Sequence, residues 1–242
     1  MSVDREEGLQ MSDLAKVNAA AMALNYVKDG MILGLGTGST AAHFVRLLGE
    51  RARQGLRVRG IPTSEATRTL AEQVGVPLFE ISQVAKIDLD IDGADEIDPA
   101  FRLIKGGGGA LLREKIVAAA SGQMIVIADE SKWVDTLGAF PLPVEVTRFG
   151  FAITSQRIYE ALRETKCDGA EVALRVSGKS NEPVITDGGN YIIDAHAQRI
   201  PTPEALGAAL KSITGVVEHG LFLGLARTVI LGRDKGAEIR EL

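Results

Sequence analysis

Cysteine is almost absent. Cys167 is the only one in 242 residues, so no disulfide can form within the chain, and a reducing cytoplasm is the expected compartment. Histidine is nearly as scarce: His43, His196 and His219 are scattered, without metal-ligand spacing, so metal chemistry is disfavoured. No apolar run is long enough to span a bilayer. The opening MSVDREEGLQ is polar and acidic, which fits neither a signal peptide nor a transit peptide. Basic blocks are also missing. Lys and Arg number 27 against 32 Asp and Glu, and the net charge of −5 argues against nucleic acid as the main partner. What remains is an ordinary globular composition, long enough for one large domain or two smaller ones.

What is present is alternation. A helical pattern over 12–28, with Ser12 or Asp13 as N-cap and Gly30 as terminator, leads into a buried strand at 31–35. GTGST at 36–40 is a glycine-rich turn, and 41–53 is helical. Strand, helix and strand follow at 57–62, 64–74 and 76–79. Period-two alternation over 87–91 marks a central strand, and four glycines at 106–109 precede a helix over 110–121 and a buried strand at 124–128. This pattern predicts an α/β fold: a Rossmann-like, mostly parallel sheet with helices on both faces. Ligands of such sheets sit at the carboxyl ends of the strands. Both glycine-rich turns and the 92–95 turn are expected on that edge.

The texture changes near FPLP at 140–143. A strand at 144–147, a helix at 152–164, a strand at 170–176, a hairpin around DGGN at 187–190 and a helix over 203–212 read as a smaller inserted α+β domain. The expected division is 1–138 with 213–242 as the catalytic domain and 139–212 as the small one. The closing segments near Val216 and over 226–231 are expected to return to the first sheet.

The chemistry concentrates between Asp88 and Ile116. Two aspartates three apart, a lysine, a bare-backbone loop and a glutamate in a first helical turn are more than a scaffold asks for. Asp92 and Asp95 flank Gly93 and Ala94. An Asx turn explains either aspartate alone, whereas two neighbouring carboxylates can perturb each other as acid–base work requires. Asp90 reads as a solvated or paired strand residue, and Glu96 as turn surface. Lys105 is ordinarily a solvated lysine, but beside Gly106, Gly107 and Gly108 it could stabilise an oxyanion. Arg113, Glu114 and Lys115 step by about 100° each, so at least one must point toward protein or a cleft. Thr37, Gly38, Ser39 and Thr40 make either a tight turn capped by Ser39 or a phosphate cradle at a helix N-terminus. They match neither nucleotide fingerprint, which favours a small phosphate. Lys16 and Lys132 are surface residues taken singly, and cations that could close over a phosphate taken together.

Several of these motifs, in this order, resemble a known family. GLGTGSTAAHF, DGADEID, KGGGGALLREKI, IADESK and FPLPVEV, with TDGGNYIIDAH and GVVEHGLF, are similar to ribose-5-phosphate isomerase of the A type along nearly the whole chain. The resemblance implies a cofactor-free aldose–ketose isomerase of the non-oxidative pentose phosphate pathway, forming a homodimer or homotetramer. It implies Glu114 as general base. It also implies substrate contacts at 37–40, 92–95, 105–108 and Lys132, with Lys16 on the phosphate side. Gly109 stands where the family often has alanine, and Leu112 where it often has threonine. Two rivals keep part of this picture. An acyl-CoA transferase would use a glutamate as nucleophile, and a non-catalytic sugar-phosphate sensor would need a DNA-binding element that the sequence does not display.

Overall fold

The structure, a computed structural model, describes residues 3–178 and 180–242, with side chains from Asp13 onward. In chain order the elements are α1 (Val3–Ala23), β1 (Ile32–Leu35), α2 (Ser39–Arg53), β2 (Arg59–Pro62), α3 (Glu65–Val74), β3 (Leu89–Asp92), β4 (Glu96–Ile97), β5 (Leu103–Ile104), α4 (Leu111–Ala120) and β6 (Met124–Asp129). They continue with β7 (Leu142–Val146), α5 (Phe151–Glu164), β8 (Glu171–Leu174), β9 (Tyr191–His196), α6 (Pro203–Ser212), β10 (Val216–His219), β11 (Leu221–Phe222), β12 (Ala226–Arg233) and β13 (Gly236–Glu241). Two compact units result. The first takes the chain up to Ala94, Arg113–Trp133 and Leu225–Leu242; the second takes Asp95–Leu112 and Val134–Gly224.

The first unit is the expected α/β layer. Its sheet runs β13-β12-β6-β3-β1-β2, parallel except for the β13 edge, which pairs antiparallel with β12. Strand period sorts the side chains. Leu33, Leu35, Leu89, Ile91, Ile125 and Ile127 pack with Phe44, Val45 and Leu48 of α2 and Ala19, Ala20 and Ala23 of α1. The alternate positions face α4: a Cβ on Gly34 would lie 2.5 Å from Val117 Cγ1 and 2.4 Å from Asp90 Oδ1. Asp90 is therefore buried on the α4 face of the sheet, which removes the solvated reading of it. Going from β1 outward to β2, then back to β3 on the other side, the chain reverses direction at β1/β3. Ligands of doubly wound sheets bind at that kind of switch point.

Three local expectations change in this unit. Helix α1 starts at Val3 and ends at Ala23, before a short 3-10 turn over Leu24–Tyr26, so Ser12 and Asp13 lie inside it rather than capping it. Asp13 instead meets His43 Nε2 of α2 at 3.0 Å, while the side chain of Ser12 lies outside the described residues. Residues 76–79 make one parallel bridge, Gly60 to Leu78, and no strand. Pro77 there offers a carbonyl to Gly60 N but has no N–H to extend a ladder. The third change is at the C-terminal end, where the strand expected over 226–231 runs on to Arg233 and turns back as β13.

The second unit holds two antiparallel sheets, β10-β7-β9-β8 and β11-β5-β4. Ile158, Ala161 and Leu162 of α5 and Leu206 and Leu210 of α6 pack on Val144, Val146, Ile193 and Ala195, and Ile104 and Leu221 join the same core. This explains why the compact unit is larger than 139–212. Strand β4 pairs with β5, β5 with β11, and β10 with β7, so 95–112 and 213–224 belong here. Val216 therefore does not return to the first sheet, whereas β12 does. The second glycine loop likewise follows β5 of the small sheet, not a strand of the parallel one. The DGGN segment does turn, with Thr186 N donating to Asn190 O, but the arm before it makes only a bridge from Pro183 to Val176. Its other arm, β9, pairs with β7 and β8.

Candidate active site

In the first unit the site is built at the ends of β1 and β3. Gly36 N donates to Ile91 O at 3.0 Å, which brings the two strand ends together. Asp92, fully buried, then accepts hydrogen bonds at Oδ1 from Thr37 N (3.0 Å) and Gly93 N (2.7 Å). Two backbone donors fix the plane of its carboxylate. Gly36 is required beside it, since a Cβ there would fall 2.2 Å from Asp92 Oδ1.

Thr37 is used internally at both polar groups. Its hydroxyl lies 2.9 Å from Ser64 Oγ, 2.8 Å from Thr63 Oγ1 and 3.2 Å from Thr67 Oγ1. One consistent chain runs from the Thr37 hydroxyl to Ser64, from Ser64 to Thr67 at 3.1 Å, and from Thr67 to the Gly36 carbonyl at 2.9 Å. Ser64 also caps α3 by accepting from Thr67 N. Sequence reading missed this cluster. The Thr-Ser-x-x-Thr spacing at 63–67 was its only visible signal.

Helix α2 begins at Ser39, with Gly38 as its N-cap at φ 109° and no side chain capping it. The expected Ser39 cap is thus replaced by glycine, leaving Ser39 exposed and Thr40 buried in the first turn. Among the described residues no side chain takes up the first amides of α2, and the dipole at a helix start favours negative charge, as an anion site needs. Lys16 is half-buried on α1, one turn from Asp13. Asp13 bonds His43, which is one turn into α2. Lys132, also half-buried, ends a short 3-10 turn after β6, where Asp129 accepts from Ser131 N.

The three charges opening α4 divide as helical spacing requires. Glu114 is the inward one, 3% exposed. Arg113 turns outward to bond Glu65 Oε1 at 2.7 Å, and that hydrogen bond holds the Glu65 carboxyl below its ordinary range. Lys115 is half-buried.

In the second unit Lys105 is buried, 2% exposed, with Nζ 5.4 Å from the centre of the Phe222 ring. That excludes the solvated-lysine reading. The glycine loop after it is held from two sides. Asp95 Oδ2 accepts from Gly107 N at 2.8 Å, and Arg175 Nη1 donates to the carbonyls of Gly106 (2.9 Å) and Gly107 (3.0 Å). Gly109 N bonds Gly106 O, closing the turn, so Gly109 (φ 81°) is a loop residue rather than a helical one. Glu96 is buried, not turn surface: it accepts from Gly138 N (2.7 Å) and Phe140 N (2.6 Å) and so ties down the FPLP segment. Among the described residues no three His, Cys, Asp or Glu side chains group as metal ligands. Nor is any helix there long and apolar enough to cross a membrane.

The comparisons agree with one another. The sequence profile described as ribose 5-phosphate isomerase A (phosphoriboisomerase A) matches residues 59–236. A ribose-5-phosphate isomerase A of Maricaulis maris is 57% identical over 227 residues, 94% of this chain and 97% of its own. Among solved structures, a D-ribose-5-phosphate isomerase in complex with phospho-erythronic acid superposes with TM-score 0.88 at 40% identity, covering 96% of this chain and 99% of its own. The ribose 5-phosphate isomerase A of Methanocaldococcus jannaschii gives TM-score 0.86 at 41% identity, over 94% and 98% of the two chains.

Proposed function

The chain belongs to the ribose 5-phosphate isomerase A family, and from that premise we propose that it interconverts ribose 5-phosphate and ribulose 5-phosphate through an enediolate, with Glu114 moving the carbon-bound proton. The burial of Glu114, between two more exposed cations, carries the assignment. A carboxylate screened from water suits proton transfer to and from carbon. Triosephosphate isomerase, in which a glutamate serves as base, is the chemical precedent.

Glu114 takes the proton from C2 of the open-chain aldose while the electron pair moves into the C1–C2 bond and the carbonyl oxygen becomes O1 of the enediolate. The proton returns to C1, O1 gains a hydrogen, O2 loses one, and the ketone stands at C2. Asp92, with Asp95, serves the oxygen-bound protons and the opening of the furanose ring. Lys105 stabilises the enediolate charge. Glycine-loop amides share that task, with Gly107 N–H already given to Asp95. Ser39, Thr40, Lys16 and Lys132 hold the phosphate; the uncapped glycine-led start of α2 supports this reading, and the Asp13–His43 contact supports placing Lys16 with it. Thr37, Gly38, Gly93, Ala94, Gly106 and Gly108 shape the walls. The relative solved with phospho-erythronic acid adds chemical support, because a phosphorylated sugar acid offers a phosphate and a planar carboxylate resembling an enediolate.

We read the active form as a cytoplasmic homodimer or homotetramer. Phe149, 96% exposed, and Ile153, 74% exposed, form an apolar surface of the kind that copies of a chain cover in an assembly. Sedimentation would count the subunits. For the chemistry, Glu114→Gln should bind substrate almost normally yet lose kcat severely, and should stop exchange of the C2 hydrogen in deuterated water. Normal turnover by that variant removes Glu114 from the base role.

A further inference from the structure

The second glycine loop poses a physical problem. Four consecutive glycines lose more conformational freedom on ordering than any other sequence would. Gly106 (φ 101°) and Gly109 (φ 81°) adopt backbone angles that suit glycine, so the loop is permitted by its composition but not fixed by it. Something outside the loop must choose its peptide planes.

Arg175, just after β8, does so. Its Nη1 donates to two successive carbonyls, Gly106 O and Gly107 O. A peptide unit is planar and trans, so turning a carbonyl toward Arg175 turns the following N–H the opposite way. The N–H of Gly107 is thereby aimed at Asp95 Oδ2, where it is found at 2.8 Å, and the N–H of Gly108 is turned away from the guanidinium as well. Asp194 of β9 locks the other side of the fork: Nε meets its Oδ2 at 2.8 Å and Nη2 its Oδ1 at 2.5 Å. Both side chains are less than one-fifth exposed. A bidentate, partly buried pair of this kind holds orientation better than a lysine could, because only the planar fork presents donors to a carboxylate and to carbonyls at once.

The geometry points to Arg175 and Asp194 as positioning residues for the isomerase reaction, setting the directions of the Gly107 and Gly108 amides and hence of Asp95. This rests on the reading that the loop and Asp95 serve the substrate. Arg175 lies outside the motifs that carry the family resemblance, Asp194 lies in one of them, TDGGNYIIDAH, and neither needs to touch substrate.

The test uses the full-length protein carrying Arg175→Ala, with Arg175→Lys as the second variant. Two readouts are taken: steady-state kinetics on ribose 5-phosphate, and hydrogen exchange at the Gly107 amide by NMR. In the folded Arg175→Ala protein kcat should fall roughly 10- to 100-fold, the scale of a misplaced site group, with a much smaller change in KM. Gly107 exchange should quicken, and added guanidinium should restore both, which a purely structural loss would not allow. Arg175→Lys, keeping the charge without the fork, should show the same kinetic defect, and it decides the matter if the alanine variant does not fold. Wild-type kcat, or unchanged Gly107 exchange, in a folded variant overturns the proposal. A wild-type protein that does not isomerise ribose 5-phosphate would sink the functional reading instead, and the exchange measurement would still judge the clamp.

Discussion

Gly36 and Asp92 occupy one space: a methyl group on Gly36 would lie 2.2 Å from Asp92 Oδ1 and 2.5 Å from Asp92 Cα. The second distance matters more, because no rotamer of Asp92 relieves a clash with its own backbone. Gly36→Ala must therefore part the ends of β1 and β3, breaking the Thr37 N to Asp92 bond on the way. Overpacking of this kind costs about 1–3 kcal/mol. The expected outcome is a protein with a lowered melting temperature and almost no turnover, checked by calorimetry and an isomerase assay. An active, equally stable variant would show that Asp92 need not sit where it does.

The hydroxyl chain below Thr37 gives a subtler perturbation. Thr67→Val keeps the shape but leaves the Gly36 carbonyl without its 2.9 Å donor. A lost buried hydrogen bond costs about 1–3 kcal/mol when one partner stays behind. Since the chain ends on the turn leading into α2, the variant should raise KM more than it lowers kcat. Equal effects on both, or none, would detach these hydroxyls from substrate binding.

What the sequence disclosed follows the range of the interactions involved. Helix α6 is legible to the residue, because Pro203 opens it and its apolar spacing is local. The β1 turn and the strand bearing Asp92 are legible for the same reason, whereas helical geometry said only that one of Arg113, Glu114 and Lys115 must turn inward, and the resemblance pointed to Glu114. The destination of 103–104 could not, because β5 is two residues long and its partners, β4 and β11, include one more than a hundred positions away. That pairing is why the second glycine loop belongs to the smaller unit. The pairing of Arg175 with Asp194 was invisible too. Each is a lone charge in an alternating strand pattern, and only the antiparallel β8–β9 pairing makes them neighbours.

Lys105 separates folding from function. Its ammonium is buried, with the Phe222 ring 5.4 Å away. Lys105→Met keeps the apolar stem and removes the charge. It should stay folded while losing most of its kcat, as calorimetry and an isomerase assay would show. A sharp drop in melting temperature with kcat retained would make Lys105 structural.

Cys167 is the last group whose behaviour follows from its surroundings. It is half-buried after α5; burial raises the thiol pKa, the Thr165 hydroxyl 3.8 Å away opposes this, and Asp168 adds to it. Thiolate is the reactive species, so alkylation by iodoacetamide should be slow at neutral pH. Its rate should keep climbing beyond about pH 8.5, where an ordinary cysteine would begin to level off. The linked stability has the matching sign. The fold favours the protonated thiol, so that contribution is complete below the unfolded pKa and is lost as pH rises through the folded one. Because Cys167 lies outside every proposed catalytic contact, the alkylated protein should isomerise at the wild-type rate. A rate of alkylation that levels off below about pH 8 would mean that the thiol is exposed and that the packing around α5 is looser than described.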